Sequence, residues 1–131
     1  MQNPAGKSAL GLDANVAAGL CYLPICGISL IMSIIILVTD KTNKLARFHA
    51  FQSLLLLAAV LVIEIPAYFL MVILLVMNST ITSLLGGLFG LVLGIFGLAV
   101  FVFLIISLIK AFQGQIYKIP VIGNFADNWS N

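Results

Sequence analysis

Charge is what this sequence has least of. Charged side chains make up 8% of its 131 residues, and hydrophobic ones make up 63%. A soluble domain carries roughly 25% charged and 45–50% apolar residues. So few charges cannot cover so much apolar surface in water, so the solvent for most of the chain is lipid. The formal net charge of +2 is too small to point to nucleic acid. Histidine occurs once, which excludes a protein-only histidine metal site. The two cysteines, Cys21 and Cys26, fit neither a Cys-x-x-Cys redox motif nor a zinc site. On a helix they would point about 140° apart, so they read as small apolar fillers. Catalytic sets are missing too: there is no nucleophile–base pair, no phosphate-binding loop and no carboxylate pair. The chain therefore reads as non-enzymatic.

Long apolar runs are what the sequence does have. A helix needs about 20 apolar residues to cross the hydrocarbon core. Three stretches qualify, at about 15–38, 48–77 and 81–109. They predict a single all-α membrane domain over 1–131, a bundle of three transmembrane helices with a short interfacial tail at 111–131. Asp13 stands where an N-cap would, and Pro24 predicts a kink near Gly19–Pro24 in the first helix. The second stretch is longer than a bilayer requires. It either tilts, kinked at Pro66, or breaks there to give four spans.

The basic residues set an orientation. Lys41, Lys44 and Arg47 lie between the first two stretches, and Lys110 and Lys118 follow the third. With three spans these five share a face and only Lys7 lies opposite. The first loop and the C-terminus are then cytoplasmic and the N-terminus outside, in a bacterial inner membrane.

Polar residues inside the spans are candidates for function. Glu64 is the one ionisable group well inside a predicted span, near the bilayer middle, where it must be neutral or paired and turned from lipid. Pro66, two residues on, leaves the carbonyl of Val62 without its helical donor. Glu64 can donate to such a carbonyl, or it can relay a proton or cation. His49, Ser53 and Glu64 fall within about 60° of one helix face, a polar stripe that points inward or at a partner. His49 can hydrogen-bond at the interface, sense pH, or ligate the metal of a bound haem or chlorophyll-type pigment. No cofactor is required by the sequence.

In the third stretch Gly86, Gly90 and Gly94 recur every four residues, with Gly87 and Gly97 beside them. In lipid such a stripe lets helix backbones approach closely. Gly114 can end the helix. Beyond it apolar and polar residues alternate, and Tyr117, Lys118 and Trp129 are interfacial types, so the tail is expected along the cytoplasmic surface, folded back under the bundle. Asn78-Ser-Thr and Asn128-Trp-Ser match the glycosylation sequon, a pattern that mostly arises by chance.

Arg47-Phe-His-Ala-Phe-Gln-Ser-Leu-Leu-Leu, with Ala111-Phe-Gln-Gly, Ile119-Pro, Ile122-Gly and Ala126, resembles a widespread family of small bacterial membrane proteins of unknown function. That family is similar to a subunit of the chloroplast inner-envelope protein-import translocon. The resemblance runs from Ala17 to Trp129. It implies a polytopic helical protein, with four spans in the translocon relatives. His49 and Gln52 match its first motif, and Gly114, Pro120 and Gly123 its second, without assigned roles. Gln52 joins Glu64 and Ser53 as a buried polar residue.

These features predict a non-catalytic accessory or assembly subunit, held in the lipid bilayer and packed against other integral membrane proteins or copies of itself. One alternative is a translocation or transport component using Glu64 and the Pro66 break. Another is a pigment- or haem-contacting subunit of a photosynthetic or electron-transfer complex, with His49 as ligand.

Overall fold

The computed structural model describes residues 6–25, 27–77 and 79–131. Among them the chain is all-α, with five helices: α1 (Ala14–Leu20), α2 (Ile28–Thr39), α3 (Lys44–Val76), α4 (Thr80–Phe112) and α5 (Ile122–Ser130). Cys26 and Asn78, and with them the expectations about a cysteine pair and the first sequon, lie outside the described residues.

Two helices, not three, are long and apolar enough to cross a membrane: α3 and α4, of 33 residues each. At 1.5 Å per residue each is about 50 Å long, against about 30 Å of hydrocarbon. The second expected span is one helix throughout, since α3 runs unbroken through Pro66. The four-span division at that proline is not what the chain adopts.

The first expected span is broken rather than kinked. Asp13 does occupy the N-cap of α1, without a side-chain cap bond, but α1 ends at Leu20 and α2 starts only at Ile28. Pro24 lacks an N–H, and Gly27, at φ 78°, takes the left-handed conformation that glycine adopts freely. The 12 residues of α2 reach about 18 Å, too short to span. The chain turns back instead, and α1 packs against α2.

The chain forms two compact units. The first holds residues 6–56 and 103–131, and its core is built largely of small residues: Ala14, Ala17, Ala18, Ala46, Ala50 and Ala111, with Tyr22, Ile36 and Leu45 among them. Small side chains allow backbones to come close, which is how helices gain packing energy where lipid supplies no hydrophobic drive. Gly19 shows how close. A Cβ there would lie 2.6 Å from the Phe112 ring.

The same unit corrects the expected topology. The Ala9 amide donates to Asp40 Oδ2 at 3.1 Å, and the Ala14 amide to the Gly6 carbonyl at 2.9 Å. Residues 6–9 therefore sit beside the Asp40–Asn43 loop, where an N-terminus on the opposite face would be out of reach. Pro24 and Gly27 interrupt the first apolar stretch between α1 and α2.

The second unit, Leu57–Val102, holds the later part of α3 and most of α4. A Cβ at Gly86 would lie 2.9 Å from Leu75 Cδ2 and 3.3 Å from Leu74 Cβ, and one at Gly90 2.9 Å from Met71 Sδ. One at Gly97 would lie 3.9 Å from Glu64 Oε1, whereas Gly87 and Gly94 have nothing within 4 Å. The residues turned to α3 are thus Gly86, Gly90 and Gly97, and the regular spacing that included Gly94 does not mark a single face.

Candidate functional site

Three side chains, one from just after α1 and two from α3, meet in the first unit. Tyr22 follows α1, and His49 and Gln52 lie one turn apart on α3; His49 and Gln52 are fully buried, and Tyr22 nearly so. Gln52 Nε2 donates to Tyr22 Oη at 2.9 Å and to the Tyr117 carbonyl at 3.0 Å, while Gln52 Oε1 accepts from the Ile119 amide at 3.1 Å. Its carboxamide therefore binds the 117–119 backbone as a neighbouring strand would. His49 Nε2 lies 3.1 Å from the Gln115 carbonyl, and Nδ1 lies 3.1 Å from Tyr22 Oη.

The network fixes the tautomer. A carbonyl only accepts, so His49 Nε2 carries the hydrogen; Nδ1 then accepts from the Tyr22 hydroxyl, which itself accepts from Gln52. Every donor and acceptor in this chain of bonds is used, the condition under which a buried polar network rigidifies rather than destabilises. Phe48 and Tyr22 close edge-on against the imidazole, at 5.1 and 5.5 Å between ring centroids. With both nitrogens engaged and the ring inaccessible, His49 offers no free lone pair to a haem or pigment metal.

The tail segment that this network grips is shaped for it. α4 ends in a Schellman turn: the Gln115 amide bonds to the Lys110 carbonyl, the Gly114 amide to the Ala111 carbonyl, and Gly114 sits at φ 71°. A Cβ at Gly114 would also lie 2.8 Å from Asn15 Oδ1, and one at Gly123 2.6 Å from the Lys118 Cα. The two motifs of the sequence, His49 with Gln52 and Gly114 with Pro120 and Gly123, are therefore one constellation in space.

The flanking charges tie the tail to the start of α3. Lys44 Nζ lies 3.4 Å from Asp127 Oδ1, and Lys118 Nζ 2.8 Å from Asp127 Oδ2. Arg47 Nη1 donates to the Asp40 carbonyl at 3.1 Å and Nε to the Ser130 carbonyl at 3.4 Å, with its guanidinium 5.6 Å from the centre of the Phe51 ring. Lys110 donates to Gln115 Oε1 at 2.9 Å, and Lys41 to the Leu37 carbonyl at 3.1 Å. Hydrogen bonding to Lys118 holds the Asp127 carboxyl below the usual carboxylate range, with Lys44 adding to the effect and partial burial opposing it. A lowered carboxylate stabilises the fold at neutral pH, and that contribution disappears as pH falls through the lowered range. These side chains are partly exposed, so Asp127→Asn should cost only about 0.2–1 kcal/mol at neutral pH and nothing in acid, read from thermal unfolding in detergent at the two pH values.

Two other side chains escape a reading of the sequence alone. Asp40 is buried and accepts from the amides of Ala9, Thr42 and Asn43, and Asn43 Oδ1 in turn accepts from the Ala46 amide at the start of α3. An Asp three residues before an Asn, at the end of an apolar run, is the usual signal for such a turn. Tyr22 leaves no pattern beyond a phenol within an apolar stretch. Ser53 lies 2.6 Å from Ser33 Oγ, joining α2 to α3.

Glu64 is not part of this constellation. It belongs to the second unit, half-buried with Oε1 toward Gly97 of α4, at the edge of an open apolar groove that it lines with Ile65, Tyr68, Phe69 and Val72. The ion pairs among the described residues are those of Asp127, so none of them engages Glu64.

Comparisons with known proteins place the chain among membrane proteins. Residues 12–126 match the magnetosome magnetite crystal formation protein family. Two UPF0132 membrane proteins of the archaeon Methanocaldococcus jannaschii are similar to the chain, one 32% identical over 95% of this chain and 96% of its own length, the other 30% identical over 92% and 73%. A UPF0132 membrane protein of Archaeoglobus fulgidus is 29% identical over 88% of this chain and 94% of its own. No solved structure matches. The match covers both the buried Tyr22–His49–Gln52 network and the tail it holds, and the chain belongs to the magnetosome magnetite crystal formation protein family of small membrane proteins.

Proposed function

We propose that this protein is a non-catalytic membrane assembly subunit whose second unit packs against another integral membrane protein or a second copy of the chain. The observation that carries this reading is Glu64. An ionisable side chain well inside an apolar span is costly when it faces lipid, and such groups turn to protein or water. Here it opens onto an apolar groove of large side chains that nothing within Leu57–Val102 covers. A partner helix laid in that groove would shield the carboxyl and bury Tyr68 and Phe69. The placement in a bacterial inner membrane, with the Lys41–Arg47 loop and the tail cytoplasmic, rests on the basic residues of those segments.

Extraction in mild detergent tests the reading. Glu64→Gln keeps a donor and nearly the same volume, so it should preserve the assembly, whereas Glu64→Leu should dissociate it while leaving the subunit folded. A complex of unchanged size with Glu64→Leu would count against the groove.

The runner-up reading is transport or translocation, favoured by the same carboxyl next to Pro66. It predicts pH-driven flux in proteoliposomes that Glu64→Gln abolishes, because an amide cannot release a proton. The assembly reading expects no flux from either protein. The family description adds a possible setting, crystal formation in a membrane compartment. Complementation of a magnetosome-forming cell lacking a member of this family, scored by crystal size, would test that setting.

A further inference from the structure

Helix α5 is built with its large side chains on the outside. Gly123, Ala126 and Ser130 face inward and are buried, while Val121, Phe125 and Trp129, spaced by four, are 70%, 52% and 53% exposed. Residues at i and i+4 lie one above the other on a helix, so Phe125 and Trp129 share a face, with Val121 exposed just before the helix starts. A helix that needed only to cover the bundle would turn its aromatics the other way.

The row begins at a strained point. Val121 has φ 68° and ψ −61°, and the Ile122 amide bonds to the Pro120 carbonyl at 2.8 Å. This is a γ-turn of the rarer hand, unfavourable for any L-residue and most of all for a β-branched one. Such strain persists where the surroundings impose it. Here Gln52 holds the Ile119 amide just before the turn, and Gly123 lies against Lys118 just after it. The result is a valine presented outward at the head of the aromatic row.

Positive charge lies on the flank of α5 that carries Asp127, about 160° round the helix from Phe125 and Trp129, and at Arg47 on the side of Trp129. Lys44 and Lys118, with side chains 40% and 46% exposed, share the single carboxylate of Asp127, and an open cleft lies between them and Ile116. Arg47 lies over Phe51, whose ring is 6.0 Å from that of Trp129. Lys41 is exposed nearby in sequence. Two ammonium groups on one carboxylate leave a surplus positive charge that a phosphodiester can take up. Lys44 also opens the first turn of α3, ahead of its apolar span, on the end where basic side chains meet headgroups.

We propose that α5 is an interfacial anchor for anionic phospholipid, with Val121, Phe125 and Trp129 inserted at the headgroup–acyl boundary and Lys44 and Lys118 binding a lipid phosphate. Apolar and aromatic side chains on one face flanked by lysines are the composition of helices that lie in this interface. Each lysine near an anionic surface strengthens attraction about fivefold. The anchor is independent of what covers the Glu64 groove.

Trp129 is the only tryptophan in the sequence, so its fluorescence reports α5 alone. The full-length protein is placed in nanodiscs of phosphatidylcholine, or of an equimolar mixture of phosphatidylcholine and phosphatidylglycerol. In the anionic discs Trp129 emission should shift to the blue and be quenched by lipids brominated near the headgroup end of the chain. Lys44→Gln with Lys118→Gln should remove most of the difference between the two compositions, and Asp127→Asn should enlarge it. Emission that is the same in both discs and insensitive to brominated lipid would overturn the proposal. So would a shift reproduced by inorganic phosphate added to the neutral discs, which would mark a site for soluble phosphate. A double variant whose circular dichroism matches wild type but whose anionic preference is undiminished would remove the lysines from the account.

Discussion

Gln52→Leu should free the C-terminal segment from the rest of its unit. The substitution removes both donors and the acceptor of the carboxamide at once, leaving the part-buried Tyr117 carbonyl and the buried Ile119 amide without their partner. At about 1–3 kcal/mol for the buried group left unsatisfied, and less for the part-buried one, the loss should be roughly 2–4 kcal/mol. Limited proteolysis in detergent should then cut between residues 113 and 131 in the variant and not in wild type. Gln52→Glu should not rescue it, since a carboxylate still accepts from Ile119 but turns an acceptor toward the Tyr117 carbonyl. Tyr22→Phe removes one hydroxyl and should be milder. If the tail of Gln52→Leu resists protease as wild type does, contacts of α5 such as Arg47 with Ser130 hold it instead.

Within Leu57–Val102 the glycines should respond unequally. Gly86→Leu drives a branched side chain against Leu75 and the Cβ of Leu74, the second of which is fixed to the α3 backbone, and overpacking of this kind costs about 1–3 kcal/mol. Gly90→Leu meets the Met71 sulfur, part of a flexible chain that can move, and should cost less. Gly87→Leu and Gly94→Leu enter open space and should leave subunit stability near wild type. Thermal unfolding of the four variants in one detergent gives the order. Equal losses at Gly86 and Gly94 would mean that contact with α3 does not set the cost, since leucine has the higher helix propensity and would not destabilise by that route.

Much of the fold can be read in the sequence where a single physical rule decides. Hydropathy over α3 and α4 is unambiguous, because lipid admits little else. The end of α4 at Gly114 follows from the need for a left-handed residue after the helix. The first apolar stretch is different. Its composition suits a span, but Pro24 and Gly27 together allow the chain to reverse, and the packing of α1 on α2 and the hydrogen bond from Ala9 to Asp40 reveal that it does. At Pro66 the local rule argues for a break, yet α3 continues. Neighbouring helices and local adjustment commonly satisfy the groups a proline frees inside a membrane protein. The buried network shows a further limit. The motif with His49 and Gln52 and the motif with Gly114, Pro120 and Gly123 stand out separately, but a side-chain amide pairing with a backbone segment 65 and 67 residues away leaves no periodicity to read. Tyr22, the hinge of that network, carries no signal of its own.

The central claim is that another protein helix lies against the Glu64 groove in the membrane. A photoreactive amino acid at Phe69, inside the groove, tests it directly in intact membranes, with the same residue at Leu70 as control. Leu70 is also exposed but, at about 100° per residue, points away from the groove. Irradiation should give one discrete protein adduct from Phe69, either a dimer of this chain or a single larger species, and only lipid adducts from Leu70. Lipid adducts alone at both positions would contradict the account.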